Sequence, residues 1–138
     1  MRYLLSIPML AIVIAVYLAA GPGFSMLFGA DLTSLTLPSG AVMTLTTDHI
    51  FILAGLVALF FEMLKAARLG AGTIIDHMLS TAAFVVALVC FLVVDFCGTP
   101  IFFLLTVMAL IDTVAGYSIS IFSSRRDYSV SHTGDGGL

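Results

Sequence analysis

The sequence predicts an all-α membrane protein: an antiparallel bundle of four transmembrane helices with a short exported β-hairpin between the first and second. Three observations carry that expectation. The 138 residues are 61% hydrophobic and 9% charged, with a mean hydropathy of +1.20, more apolar surface than a soluble chain of this length can hide in a core. The apolar residues fall in four runs, at about residues 3–20, 48–68, 74–96 and 100–122, each close to the ~20 residues that cross a bilayer. The five cationic residues, Arg2, Lys65, Arg68, Arg125 and Arg126, all lie on one side if the runs alternate in direction, whereas residues 21–49 and 97–99 hold no Lys or Arg. Positive charge marks the cytoplasmic side, so both termini are expected there. The net charge of −3 comes with no basic patch suited to nucleic acid.

Taken in order, residues 3–20 follow Arg2 and read either as a first span or as a signal peptide ending at Leu18-Ala19-Ala20-Gly21. The apolar part exceeds the usual h-region of about 7–15 residues, which favours retention. Pro8 falls in the first turns, where its missing N–H does least damage. Residues 21–47 form an exported loop, opened by Gly21-Pro22-Gly23. Within it Leu35-Thr36-Leu37 and Val42-Met43-Thr44-Leu45 alternate about Pro38-Ser39-Gly40-Ala41, the pattern of a hairpin. Two strands alone are marginal, so a lid lying on the bundle is favoured over an edge extended by a partner strand. The second span carries Asp48 in its first turn and Lys65 and Arg68 in its last, as the helix dipole prefers. Gly70 and Gly72 end it. Thr73 and Asp76 have capping-box spacing for the third span, and Thr99 and Pro100 suit the N-cap and first position of the fourth. Residues 127–138 are polar and Gly-rich, and are expected to form a disordered cytoplasmic tail. Cys90 and Cys97 stand seven apart on one expected helix, about 10 Å along its axis, too far to bridge. Pairing of Cys97 with another chain is the lesser reading beside a small apolar thiol.

Glu62-Met63-Leu64-Lys65, Ile74-Ile75-Asp76-His77, the run FFLLTVMALID ending at Asp112, and Ala115-Gly116 with Arg125-Arg126-Asp127 together resemble a group of small four-helix bacterial inner-membrane proteins without an assigned function. The likeness covers roughly residues 50–127. It implies architecture and a place in the bacterial inner membrane, and nothing about activity.

Among candidate site residues Asp112 leads. It lies about 18–20 Å from either end of the fourth run, where an ionisable group costs about 2.5–3.5 kcal/mol. Ala109, Asp112, Gly116 and Ser120 recur at spacings of three and four with Thr113 beside them, a face of small residues suited to close helix packing. Depth counted from the cytoplasmic charges sets Gly55, Cys90 and Ala15 to Tyr17 level with Asp112. Tyr17 is the strong hydrogen-bonding group among them, so the expectation is a structural, protonated Asp112 bonded to Tyr17 or a backbone carbonyl, over a proton or cation site. Glu62, near Lys65 and Arg68, reads as an interfacial group clasped to Ser80 or Thr81, with a cytoplasmic port toward Asp112 as the sharper alternative. His49 and His77 fall at opposite ends and cannot share a haem within one chain. Asp48, His49, Asp95 and Cys97 converge by topology but without a metal-site spacing. No Cys-x-x-Cys, phosphate loop, HExxH or triad arrangement occurs in the chain.

The functional expectation is a non-enzymatic accessory or interaction subunit of a membrane complex, with neither cofactor nor metal. Its partners are the lipid bilayer and a homo-oligomer or larger complex. The rival is an oligomeric proton- or cation-coupled conduit using Asp112. Third comes a lipid-modifying enzyme at the membrane interface, built on Glu62, Asp76 and His77, which lack the repeated acidic pattern that holds a metal and a phosphate.

Overall fold

Apolar runs without interior breakers form helices whose most buried positions recur every three or four residues, because 3.6 residues complete a turn. The computed structural model describes residues 8–25, 29–69 and 74–130. It contains α1 (Met9–Ser25), β1 (Asp31–Thr36), β2 (Val42–Thr46), α2 (Thr47–Leu69), α3 (Ile74–Val93) and α4 (Pro100–Val130), with a 3-10 turn at Asp95–Cys97. The protein is thus mostly helical, with four helices and a two-stranded antiparallel hairpin. Thr73, Arg2, residues 131–138 and the side chains of Asp76, Arg68, Ser120, Arg125 and Arg126 lie outside what is described.

The helices alternate in direction, as contacts between them show. Tyr17 on α1 meets Phe51 on α2 at 6.0 Å between ring centroids, while Leu10 donates its N–H to Glu62 much further along α2. Phe91 on α3 meets Phe103 near the start of α4, and His77 meets Tyr117 near its other end. Consequently α2 and α4 run parallel to one another. α4 packs mainly on α3 and α2, and α1 lies chiefly on α2. The core follows seams of three-and-four spacing: Leu10, Ile14 and Tyr17 on α1; Ala58, Leu59 and Glu62 on α2; Phe102, Leu105 and Ala109 on α4.

Two helices are long and apolar enough to cross a membrane, Thr47–Ala66 and Pro100–Ile119; Met9–Gly23 and His77–Val93 are shorter apolar helices. Large apolar side chains point outward on all four. Leu92 and Val93 at the end of α3 are 71% and 77% exposed, which in water is costly at about 25 cal/mol per Å² and in lipid costs nothing.

Three expectations change. The fourth helix continues to Val130 instead of ending near residue 122, so residues 127–130 are helical: nothing between Ser123 and Val130 is Pro or Gly, and a helix once started extends cheaply. α1 is broken at Gly21 (φ 59°, ψ −161°) and resumes through Pro22 to Ser25. The hairpin is present with the expected turn, but it is no lid. Every residue of β1 is exposed, and its main contact with the helices is where β2 runs into α2. The turn itself follows from its residues. Pro38 pre-sets the first central position, Gly40 N–H donates to Leu37 O (2.9 Å), and Gly40 adopts φ 82°, which lets Leu37 N–H reach Ala41 O (2.8 Å). Gly29 N–H to Asp48 Oδ1 (2.8 Å) and Thr46 N–H to His49 Nδ1 (3.1 Å) tie the hairpin base to the start of α2.

At this end a hydroxyl pair fastens α1 to the turn between α3 and α4. Tyr17 Oη and Thr99 Oγ1 are 2.7 Å apart, and Thr99 Oγ1 also accepts the N–H of Phe102, capping α4. Thr99→Ala removes both the clasp and the cap, whereas Tyr17→Phe removes the clasp and the longer bond to Phe96 O (3.5 Å) and leaves the cap. We expect losses of about 1–2.5 and about 0.5–1.5 kcal/mol respectively, read from thermal unfolding in mild detergent. Equal losses would mean the cap contributes nothing.

Candidate functional site

The polar site lies in the half of the bundle away from the hairpin, and helix register builds it. Gly55 on α2 is buried, and a Cβ there would stand 2.8 Å from Leu105 Cδ2 and 2.9 Å from Met108 Sδ of α4. This is a close approach that only a missing side chain permits. Seven residues beyond Gly55 is Glu62, and seven beyond Leu105 is Asp112. Two parallel helices that touch at one seam position touch again a heptad later, and Asp112 accordingly comes within electrostatic range of Glu62.

Glu62 is 7% exposed. Its Oε1 accepts the N–H of Leu10 at 3.2 Å. Leu10 lies in the first turn of α1, where backbone N–H groups have no partner of their own and the helix dipole favours an anion. Its Oε2 is buried and has no partner at well-formed hydrogen-bond geometry, although Asp112 is within interaction range. Lys65, three residues along α2, acts on Glu62 by charge. Asp112 itself is half-buried.

One turn further along α4, Gly116 carries the ring of His77 from α3. A Cβ at Gly116 would stand 2.8 Å from Nδ1 and 3.0 Å from Cε1 of that imidazole. The Tyr117 ring lies 5.6 Å from it, tilted by 31°. Thr81 Oγ1 donates to His77 O (2.7 Å), so in its contact with Tyr117 Oη (3.1 Å) the tyrosine is the donor. His77 Nε2 is buried without a partner. Of the expected packing face, Ala109 and Gly116 are buried and Thr113 is half-buried, its hydroxyl bonded to Ala109 O.

The structure separates Tyr17 from Asp112. Tyr17 is held at Thr99 and stacks on Phe102 at 4.9 Å, about 15 Å along the α4 axis from Asp112. Glu62, expected at the interface on Ser80 or Thr81, is instead in the core, and Thr81 is engaged with His77 and Tyr117. Both corrections share one cause. Arg125 and Arg126 stand on a helix that runs on to Val130, so counting depth back from them sets Asp112 too deep against α2, level with Gly55 instead of Glu62. Counting from the starts of α2 and α4 brings Glu62 and Asp112 within a turn of each other, and that was the available signal. Asp48, His49, Asp95 and Cys97 do not converge on a metal: among the described residues no three His, Cys, Asp or Glu side chains are placed to hold one. Both cysteines are free thiols, and burial, with Cys90 second, pushes the thiol of the fully buried Cys97 above its ordinary value. That disfavours its pairing with another chain.

Compared with known protein families, curated proteins and solved structures, the chain matches none.

Gly116 and Gly55 give a contrasting pair of substitutions. A Cβ at Gly116 meets a rigid ring, whereas at Gly55 it meets the flexible ends of Leu105 and Met108. Gly116→Ala should cost about 1–3 kcal/mol in thermal unfolding and shift the His77 ring resonances. Gly55→Ala should cost under about 1 kcal/mol and leave those resonances in place.

Proposed function

We propose that this chain is a multi-pass protein of the bacterial inner membrane and serves as a non-enzymatic interaction subunit, its four helices spanning the bilayer with both termini in the cytoplasm. The observation that carries the interaction reading is the hairpin. Its register pairs Leu35 with Met43 and Thr33 with Leu45, so Leu35, Met43 and Leu45 share one face. Leu35 and Met43 are about half exposed. A two-stranded sheet with an uncovered apolar face is marginal alone, and both its edges are open to a further strand. A partner protein on the exported side covers that face. The four-span reading is supported by the outward apolar side chains of every helix and by the placement of all five cations on one side.

Single cysteines at Ser39 and Ser131, in a background without Cys90 and Cys97, should react with an impermeant maleimide from opposite sides of the membrane. Labelling from the same side would overturn the topology. For the interaction, purification from native membranes in mild detergent should bring down a stoichiometric partner. Leu35→Asp with Met43→Asp should release it while leaving the unfolding temperature of the chain within a few degrees, since both positions are exposed. A chain that purifies only with copies of itself would remove this reading.

A further inference from the structure

We propose that Glu62 and Asp112 form a proton-binding site within the bundle, loaded and unloaded through His77 at the end away from the hairpin. Glu62 is more than nine-tenths buried and keeps one oxygen, Oε2, without a hydrogen-bond partner, and Asp112 lies a heptad below the Gly55–Leu105 contact, within electrostatic range of it. Two ionised carboxylates at such a seam repel each other in a low-dielectric surrounding, and one proton between them removes the conflict. The groups around the pair are set for that singly protonated state. α2 brings the ammonium of Lys65, α1 brings the first-turn N–H of Leu10 and α4 brings Asp112 itself, while α3 brings His77 to Gly116, one turn along α4 from Asp112. With one proton the pair carries a single negative charge, which Lys65 balances.

The route follows from α4. Gly116 is one turn from Asp112 on the same face, and its missing side chain lets the His77 ring lie against the helix there. Imidazole both accepts and releases protons near neutrality, and His77 Nε2 is buried without a partner. On unloading, the O–H bond at the carboxyl pair breaks, its electron pair stays on the carboxylate, and an imidazole nitrogen takes the proton and passes it to water. Among the described residues no three His, Cys, Asp or Glu side chains are placed to share a metal ion. Under the four-span reading the exit faces the cytoplasm, but the site itself depends neither on that reading nor on a partner.

Infrared titration of the full chain in phosphatidylcholine vesicles tests this. A protonated-carboxyl band should lose intensity as pH is raised within about pH 5–9. Glu62→Gln and Asp112→Asn should each abolish that band or displace its midpoint by at least about one pH unit. His77→Phe, which keeps a ring on Gly116, should leave the band but slow its hydrogen–deuterium exchange at least about tenfold. If Glu62→Gln fails to assemble, Asp112→Asn carries the comparison, and the wild-type titration stands on its own. A band of constant intensity across the range would show a locked structural proton and overturn the proposal. So would its absence in wild type, or its persistence unaltered in both carboxyl variants. Exchange at the wild-type rate in His77→Phe would remove His77 from the route.

Discussion

The heptad seam between the parallel helices α2 and α4 is the constraint on which the remaining arrangement depends. With no side chain at Gly55, Leu105 and Met108 fill the seam there, and the heptad spacing carries the contact along both helices. That spacing places Glu62 on Asp112 a heptad later. It also sets α1, whose Leu10 approaches Gly55 to 3.9 Å from the Cβ position while its N–H reaches Glu62. With Leu10 fixed, Tyr17 comes two turns along α1 to the ring cluster of Phe51 and Phe102 and to the Thr99 hydroxyl. The α2–α4 seam thus positions both the carboxyl pair in one half and the hydroxyl clasp in the other.

Much of this was legible from residue order. Runs of Leu, Val, Ile and Phe marked the helices, Pro38-Ser39-Gly40 marked the turn, and Thr99-Pro100 marked the start of α4; each is a local signal written within a few residues. The small-residue face of α4 was also legible, since Ala109 and Gly116 recur at helical spacing. Register between distant helices is not local. It is decided by which side chains interlock, here by what fills the space over Gly55. Counting from the nearest charges replaced that physics with an assumption that helix ends are level. The extension of α4 to Val130 breaks the assumption, and Asp112 was consequently matched to Tyr17 instead of Glu62. His77 appeared in the sequence as an isolated histidine near a helix end, and only the cradle at Gly116 shows where its ring rests.

The hairpin illustrates a different gap. Alternation and turn chemistry specify two paired strands about a turn, and in the structure pairing runs from Thr36 with Val42 to Thr33 with Leu45. They do not specify what the apolar face rests on. A lid on the bundle was the economical expectation because Leu35 and Met43 need cover. The bonds at the hairpin base, from Gly29 to Asp48 and from Thr46 to His49, instead hold the two strands at the start of α2, and the face remains outward. Among the described residues, none of the helices covers that face.

A buried pair of carboxyl groups is a poor device for stability. Two apolar side chains of similar volume at positions 62 and 112 would interlock with Leu10 and the α4 seam without the desolvation that a carboxylate incurs, and such replacements are often neutral or stabilising. The seam above the pair is built that way, from Gly55, Ala58 and Leu59 against Leu105, Met108 and Ala109. A heptad later the same geometry carries two acids, with the first-turn N–H of α1 and the charge of Lys65 arranged around them. Packing alone therefore does not account for Glu62 and Asp112, whereas a group that must gain and lose a proton inside the bundle requires ionisable side chains at that position.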